Sequence, residues 1–145
     1  GDFDGNGKDD LVWSNAATGE TNLWLMNGLV RAAGVALLVN TDWDATHVGD
    51  FDGDGRADLI WRNSVTRTTS LWLMNGLARV QGVNLLTSSP WVATQVGDYN
   101  GDGKSDLAWR ESSTGATALW LMNGGAALST STLLSDPSWS LVPLR

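Results

Sequence analysis

The 145-residue chain contains no cysteine, which excludes disulfides, thiolate metal sites and cysteine nucleophiles. It has a single histidine, and no Ser/His/Asp set that looks catalytic surrounds it, so an enzyme is the least favoured class of function. Only nine lysines and arginines are present, scattered along a chain of net charge −7, which argues against nucleic acid as a partner because phosphate binding needs clustered basic residues. No apolar run approaches the length of a membrane span, and the N-terminus lacks a charged segment followed by an apolar one. A soluble mature module, or a piece cut from something larger, is the expectation. What the chain does have is 42% hydrophobic against 17% charged residues, the balance of a globular chain with a real core rather than a disordered one.

The acidic residues are ordered by a repeat. Gly1, Gly49 and Gly97 open three copies, GDFDGNGKDDLVW, GDFDGDGRADLIW and GDYNGDGKSDLAW, in a strict register of 48 residues. Later in each copy LWLMNG recurs at Leu23–Gly28, Leu71–Gly76 and Leu119–Gly124, and a lone tryptophan follows at Trp43, Trp91 and Trp139. The copies divide the chain into residues 1–48, 49–96 and 97–145, expected to form one domain overall.

Within a copy, DLIWRNS, TTSLWLMNG, VQGVNLLT and WVATQVGDY are short segments rich in Leu, Val, Ile, Trp and Thr, set apart by turn residues. These are strand signals. The Asn-Gly pairs at 27–28, 75–76 and 123–124 end an apolar run, and Asn-Gly favours the positive φ of a tight hairpin turn. Four antiparallel strands per copy follow. Leu71–Met74 is apolar on both strand faces, as a small sheet packed between two others requires, so the fold class expected is all-β, with three four-stranded antiparallel β-propeller blades. A β-solenoid ranks behind, since its rungs are shorter and usually lack Asn-Gly hairpins at fixed offsets.

Each copy opens on oxygen-bearing residues at alternating positions: Asp2, Asp4, Asn6 and Asp10; Asp50, Asp52, Asp54 and Asp58; Asp98, Asn100, Asp102 and Asp106. Gly7, Gly55 and Gly103 stand at the sixth position, where a sharp turn is needed, and the backbone carbonyl of Lys8, Arg56 or Lys104 at the seventh can complete a shell of ligands. An all-oxygen shell suits Ca²⁺ rather than Zn²⁺. The twelfth position, where an EF-hand places a bidentate Glu, holds Trp13, Trp61 and Trp109, so the loop is no EF-hand; a dockerin-like loop would lead into a helix, whereas DLVW, DLIW and DLAW lead into strand-like runs. Ten of the 16 acidic residues are these ligands, and three Ca²⁺ would take the formal charge from −7 to −1. Asp-Gly and Asn-Gly also make turns without metal, but turn chemistry does not ask for four ligand-type residues at the same spacing three times.

The loop DxDxDGxxD followed by DL and an apolar strand resembles the FG-GAP/VCBS repeat family, found in integrin α-subunit propellers and in many bacterial secreted proteins; the resemblance covers all three copies. It implies a β-propeller, usually of seven blades, with one Ca²⁺ per loop held by the Asp and Asn residues named above. Asn6 and Asn100 lower the charge of their loops, which makes those two sites the weaker ones by expectation. Three blades are too few for a ring, so either the chain is a fragment or partners complete it; the favoured reading is a homo-oligomer, first a dimer giving six blades and second a trimer giving nine. In that scheme Trp139–Leu144 is a spare copy of the strand Ala45–Val48 and completes the first blade of another chain.

Nine tryptophans occupy three equivalent positions per copy. Those inside LWLM and after DLV, DLI and DLA are expected to pack between blades, as are Met26, Met74 and Met122. Trp43, Trp91 and Trp139 border polar stretches and are the candidates for stacking on a sugar, although loop anchoring is the commoner role; some propellers similar to this family are lectins with a site repeated around the ring. The runner-up is a protein-binding or adhesion scaffold, or a recently amplified or engineered symmetric propeller with no ligand of its own, as the close similarity of the copies suggests. Arg62 and Arg110 are expected to be solvated, and His47, aligned with Gln95, to be merely polar. Loops of this type fill at extracellular calcium levels, so a secreted or surface setting of bacterial type is expected.

Overall fold

The computed structural model describes residues 1–142. They form eleven strands: β1 (Leu11–Asn15), β2 (Glu20–Asn27), β3 (Val30–Val39), β4 (Trp43–Gly49), β5 (Asp58–Asn63), β6 (Thr69–Asn75), β7 (Ala78–Leu86), β8 (Trp91–Gly97), β9 (Asp106–Glu111), β10 (Ala116–Asn123) and β11 (Ala126–Ser135). Among the described residues there is no helix. The strands make three antiparallel sheets in the orders β1-β2-β3, β4-β5-β6-β7 and β8-β9-β10-β11, and the described residues form no closed ring.

Each four-stranded sheet takes its first strand from the end of the preceding sequence copy. β4 pairs with β5 through Trp43↔Asn63 to Gly49↔Asp58, and β8 pairs with β9 through Trp91↔Glu111 to Gly97↔Asp106. The four antiparallel strands expected per copy are therefore found in the second and third sheets, while the first has three strands and leaves β1 as an edge. Trp139–Val142 is not a strand, contrary to expectation: among the described residues it pairs with no strand, and its contacts with the third sheet are single bonds from side chains, Arg110 to the Trp139 carbonyl and Gln95 to that of Val142; the rest of that segment, Pro143 and Leu144, falls outside the described residues.

The hairpins follow from their turn residues. Asn27 pairs with Val30, Asn75 with Ala78 and Asn123 with Ala126, which leaves two-residue turns. Positive φ falls on Gly28, Gly76 and Gly124 alone, at 62°, 59° and 57°, as a type II′ turn asks of its first residue. A second positive-φ position separates the first two strands of each copy: Gly19 and Gly115 adopt φ of 70° and 71°, and a Cβ at either would collide with the backbone of Thr41 or Pro137. The second copy places Arg67 there at φ 53°, and the facing loop carries Ser88 at φ 49°. A side chain in that region costs about 1–2 kcal/mol. Arg67→Gly is accordingly expected to raise unfolding stability by about 1 kcal/mol, read as a higher midpoint in urea at unchanged slope.

Two cores lie between the sheets. Phe3 and Leu23 of the first meet Leu59, Trp61 and Met74 of the second; Phe51, Ile60, Leu71 and Leu73 of the second meet Leu107, Trp109 and Met122 of the third. The tryptophans expected to pack between blades do so in the second and third sheets, where Trp61 and Trp109 are each 1% exposed, but Trp13 is 50% exposed on the edge strand. Their ring partners are Trp24, Trp72 and Trp120, at centroid distances of 5.3, 4.8 and 5.0 Å.

Candidate metal centres

The three acidic loops precede β1, β5 and β9, and each is wound around its first aspartate. Asp50 Oδ1 accepts from the Gly53 and Asp54 amides at 2.7 and 3.2 Å, and its Oδ2 from Gly55 at 2.9 Å. Asp52 accepts from the Asp54 amide at 3.1 Å and Asp54 from the Arg56 amide at 2.8 Å. The same pattern is built at Asp2, Asp4 and Asn6 and at Asp98, Asn100 and Asp102. Gly55 and Gly103 both adopt φ 83° and Gly7 81°, the sharp turn expected at the sixth position.

The last aspartate of each loop ties it to the sheet. Asp58 is fully buried, accepting from the Phe51 amide at 2.8 Å and from the Met74 amide, at the far end of β6, at 2.9 Å. Asp10 does the same with Phe3 and Met26, and Asp106 with Tyr99 and Met122. This second role was invisible in the spacing, because the amide it satisfies sits 16 residues away in the next-but-one segment.

Carboxylate oxygens of Asp2, Asp4 and Asp10, and of Asp50, Asp52 and Asp58, lie within 4.8 Å of one another. In the third loop Asn100 stands in the place of Asp4 and Asp52 and donates to Asp102 at 3.1 Å. Asp54, the fourth candidate of the second loop, pairs with Arg56 Nη1 at 3.0 Å. Lys8, Arg56 and Lys104 present their backbone at the seventh position of their loops, with each amide donating to the residue two places before it.

The electrostatics of the second loop fit a missing countercharge. Burial pushes the Asp58 carboxyl up to about 7, against the pull of the Met74 and Phe51 amides, and the negative charges of Asp52 and Asp50 push the same way. Burial together with Asp54 and Asp50 also raises Asp52. Burial opposes the charge on Asp2, but the amides of Gly7, Gly5 and Asn6 outweigh it and hold that carboxyl low; Asp98 is held low chiefly by the Gly103 amide. Hard oxygen donors that repel one another in a preformed loop are what a hard divalent cation neutralises.

A pH dependence follows. Without metal, Asp58 keeps its proton up to about 7, above its unfolded value of 3.8, so metal-free stability falls as pH rises between those values. A cation must displace that proton, so its affinity for the second loop should drop about tenfold per pH unit below 7 and level off above it. Titration calorimetry from pH 5.5 to 8 checks this; a flat profile would contradict it.

The candidate ligand tryptophans are not equivalent in place. Trp43 and Trp91 are half-buried and pack against the two cores, whereas Trp139 is 64% exposed. Trp91 lines a cleft of about 250 Å³ between the second and third sheets together with Leu86, Trp109, Trp120 and the Thr130–Thr132 stretch. Trp43 borders a smaller one of about 110 Å³ with Ser14, Asn15 and Asp44.

Arg62 and Arg110, expected to be solvated, are half-buried ties. Arg62 donates to Thr69 Oγ1 and to the carbonyls of Ser89 and Trp91, at 2.9, 2.8 and 3.0 Å. Arg110 donates to Thr117 Oγ1 and to the carbonyls of Gly115, Asp136 and Trp139. His47 borders an open groove between β4 and β8, and burial lowers its tendency to protonate.

A family model described as FG-GAP-like repeat matches residues 2–61 and again residues 50–109. No curated protein and no solved structure gives a significant match.

Proposed function

Because the chain belongs to the FG-GAP-like repeat family, we propose that it works as a non-catalytic, calcium-stabilised β-propeller module that presents carbohydrate-binding sites on repeated blades. The observation that carries the calcium part is the gathering of three carboxylates within 4.8 Å in two loops of one design, each wound on backbone amides before any ion arrives. Three Ca²⁺ per chain are held by the side chains of Asp2, Asp4, Asn6 and Asp10 and their counterparts in the other copies, with the Lys8, Arg56 and Lys104 carbonyls completing the shells. The third loop, with Asn100 at its second position, is the weakest binder in this reading.

FG-GAP repeats are typical of extracellular proteins, and no helix of the described residues is long and apolar enough to cross a membrane. Secretion by a bacterium is the setting in which millimolar calcium keeps all three loops filled. The carbohydrate reading is supported by the Trp91 cleft, whose aromatic walls and hydroxyl-bearing rim match the apolar face and hydroxyl edge of a sugar ring. Self-association multiplies such weak sites, with two chains and six blades as the first form and three chains and nine blades as the second. A glycan array tests the ligand: Trp91→Ala is expected to reduce binding by about tenfold or more, while a blank array with the wild-type chain would favour a protein-binding scaffold.

A further inference from the structure

The two internal blade junctions are built alike. Across the first, the Ala57 amide donates to the Asp2 carbonyl at 2.7 Å and the Gly76 amide to the Phe3 carbonyl at 2.8 Å. Across the second, Ser105 donates to Asp50 at 2.6 Å and Gly124 to Phe51 at 2.8 Å. The side chain of Arg56 lies over Gly5, and that of Lys104 over Gly53. A junction therefore joins a trailing face, which offers two loop carbonyls, a bare glycine and an apolar patch, to a leading face, which offers two amides, a basic side chain and a tryptophan.

The outer faces of the first and third sheets carry both halves of a third such junction. On the first sheet the corresponding donors are the amides of Asp9 and Gly28, with Lys8 as the basic side chain; on the third the acceptors are the carbonyls of Asp98 and Tyr99, with Gly101 as the glycine. Among the described residues none of these four backbone groups makes the bond its counterparts make, and nothing stands over Gly101. The apolar parts match too. Leu11 and Trp13 are 42% and 50% exposed where Leu59, Leu107, Trp61 and Trp109 are at most 1%. Tyr99 is 46% exposed where Phe3 and Phe51 are buried, and Leu119 and Leu121 are half-buried where Leu71 and Leu73 are buried.

We infer that these two faces bind each other between copies of this chain, head to tail. The Asp9 and Gly28 amides of one copy then donate to the Asp98 and Tyr99 carbonyls of the next, Lys8 covers Gly101, and Trp13 packs on Leu119 and Leu121. This rests on the self-association proposed above and names its surfaces. The contact is heterologous: each copy uses one face forwards and the other backwards. It also sets the third acidic loop of one copy beside the first loop of the next, so the metal loops brace the joint.

The test is sedimentation velocity in calcium with Trp13→Glu and Leu121→Glu, each alone and then mixed. The wild-type chain is expected to form a discrete assembly of two copies. Either variant alone should weaken association by at least about 30-fold, the loss of one central anchor. An equimolar mixture should recover a 1:1 complex, because one intact leading face and one intact trailing face remain. A monomeric wild-type chain overturns the inference, as does an effect confined to one face or a mixture that stays monomeric. A wild-type dimer indifferent to both variants overturns these surfaces while leaving self-association standing. Calcium binding of each variant, followed by calorimetry, shows that its loops are folded; if one is not, Leu11→Ser and Tyr99→Ser replace the pair on the same faces.

Discussion

Withdrawing calcium from the chain with excess chelator is expected to lower its melting temperature by on the order of 20 °C. A site filled at about 100 times its dissociation constant adds about 2.7 kcal/mol to the folded state, so three add about 8 kcal/mol. For a chain of this size each kcal/mol moves the midpoint by about 2–4 °C. The loss should be cooperative along the chain, because the loops also carry backbone bonds between the sheets. The Asp2 and Asp50 carbonyls that hold Ala57 and Ser105 belong to the first ligand residue of their loops. Repulsion among Asp50, Asp52 and Asp58, which grows as metal-free Asp58 loses its proton above about 7, strains the bonds to the next sheet as well. The scan is run in calcium, in chelator and in chelator with magnesium; magnesium is expected to restore little, since it demands tighter octahedral geometry and keeps its water.

The second large effect is expected of Asp58→Ala. Removing this carboxylate deletes a candidate ligand and leaves the Phe51 and Met74 amides without an acceptor at a position with no solvent exposure. Two buried unsatisfied donors cost about 1–3 kcal/mol each, so a loss of roughly 4 kcal/mol is expected even in chelator, where the metal no longer counts. Asp54→Ala is the comparison: its carboxylate is solvent-facing and paired with Arg56, and in chelator it should cost less than about 1 kcal/mol. Chemical denaturation of both variants with and without calcium separates the structural from the metal-holding contribution of the fourth aspartate. Equal small losses for the two variants in chelator would contradict the assignment of Asp58 as the tie between loop and sheet.

The repeat made much of this legible in advance. The Asn-Gly hairpins and the alternating aspartates are local signals, each decided by residues a few positions apart and repeated at the 48-residue register, and apart from the segment at Trp139 and the missing fourth strand of the first sheet the described strands and loops stand where those signals put them. What stayed hidden depends on neighbours far along the chain. Arg62 reads as an exposed strand residue, yet the loop before β8 folds back over it and offers the Ser89 and Trp91 carbonyls 27 and 29 residues away. Trp13 holds the same place in the repeat as Trp61 and Trp109, but among the described residues no β4-like strand lies along β1, and one of three equivalent tryptophans is half exposed. Trp139 holds the place of Trp91 in the repeat and, like it, gives its carbonyl to an arginine, but it lies in no strand and stays on the surface. The turn after β9 shows a chemical substitution that spacing alone does not reveal. Asn15 and Asn63 cap their turns through Oδ1, and Glu111 does so with its two oxygens, held down to about 2 by the Thr114 and Ser113 hydroxyls.

The central claim is that the repeated loops are calcium sites, and a direct count of bound ions tests it most plainly. Equilibrium dialysis of the 145-residue chain against labelled calcium at pH 7.5 is expected to saturate at three ions per chain, two tighter and one weaker, with the weakest step abolished by Asp106→Ala. Saturation at zero would show that the alternating aspartates serve as turn residues alone and would contradict the account.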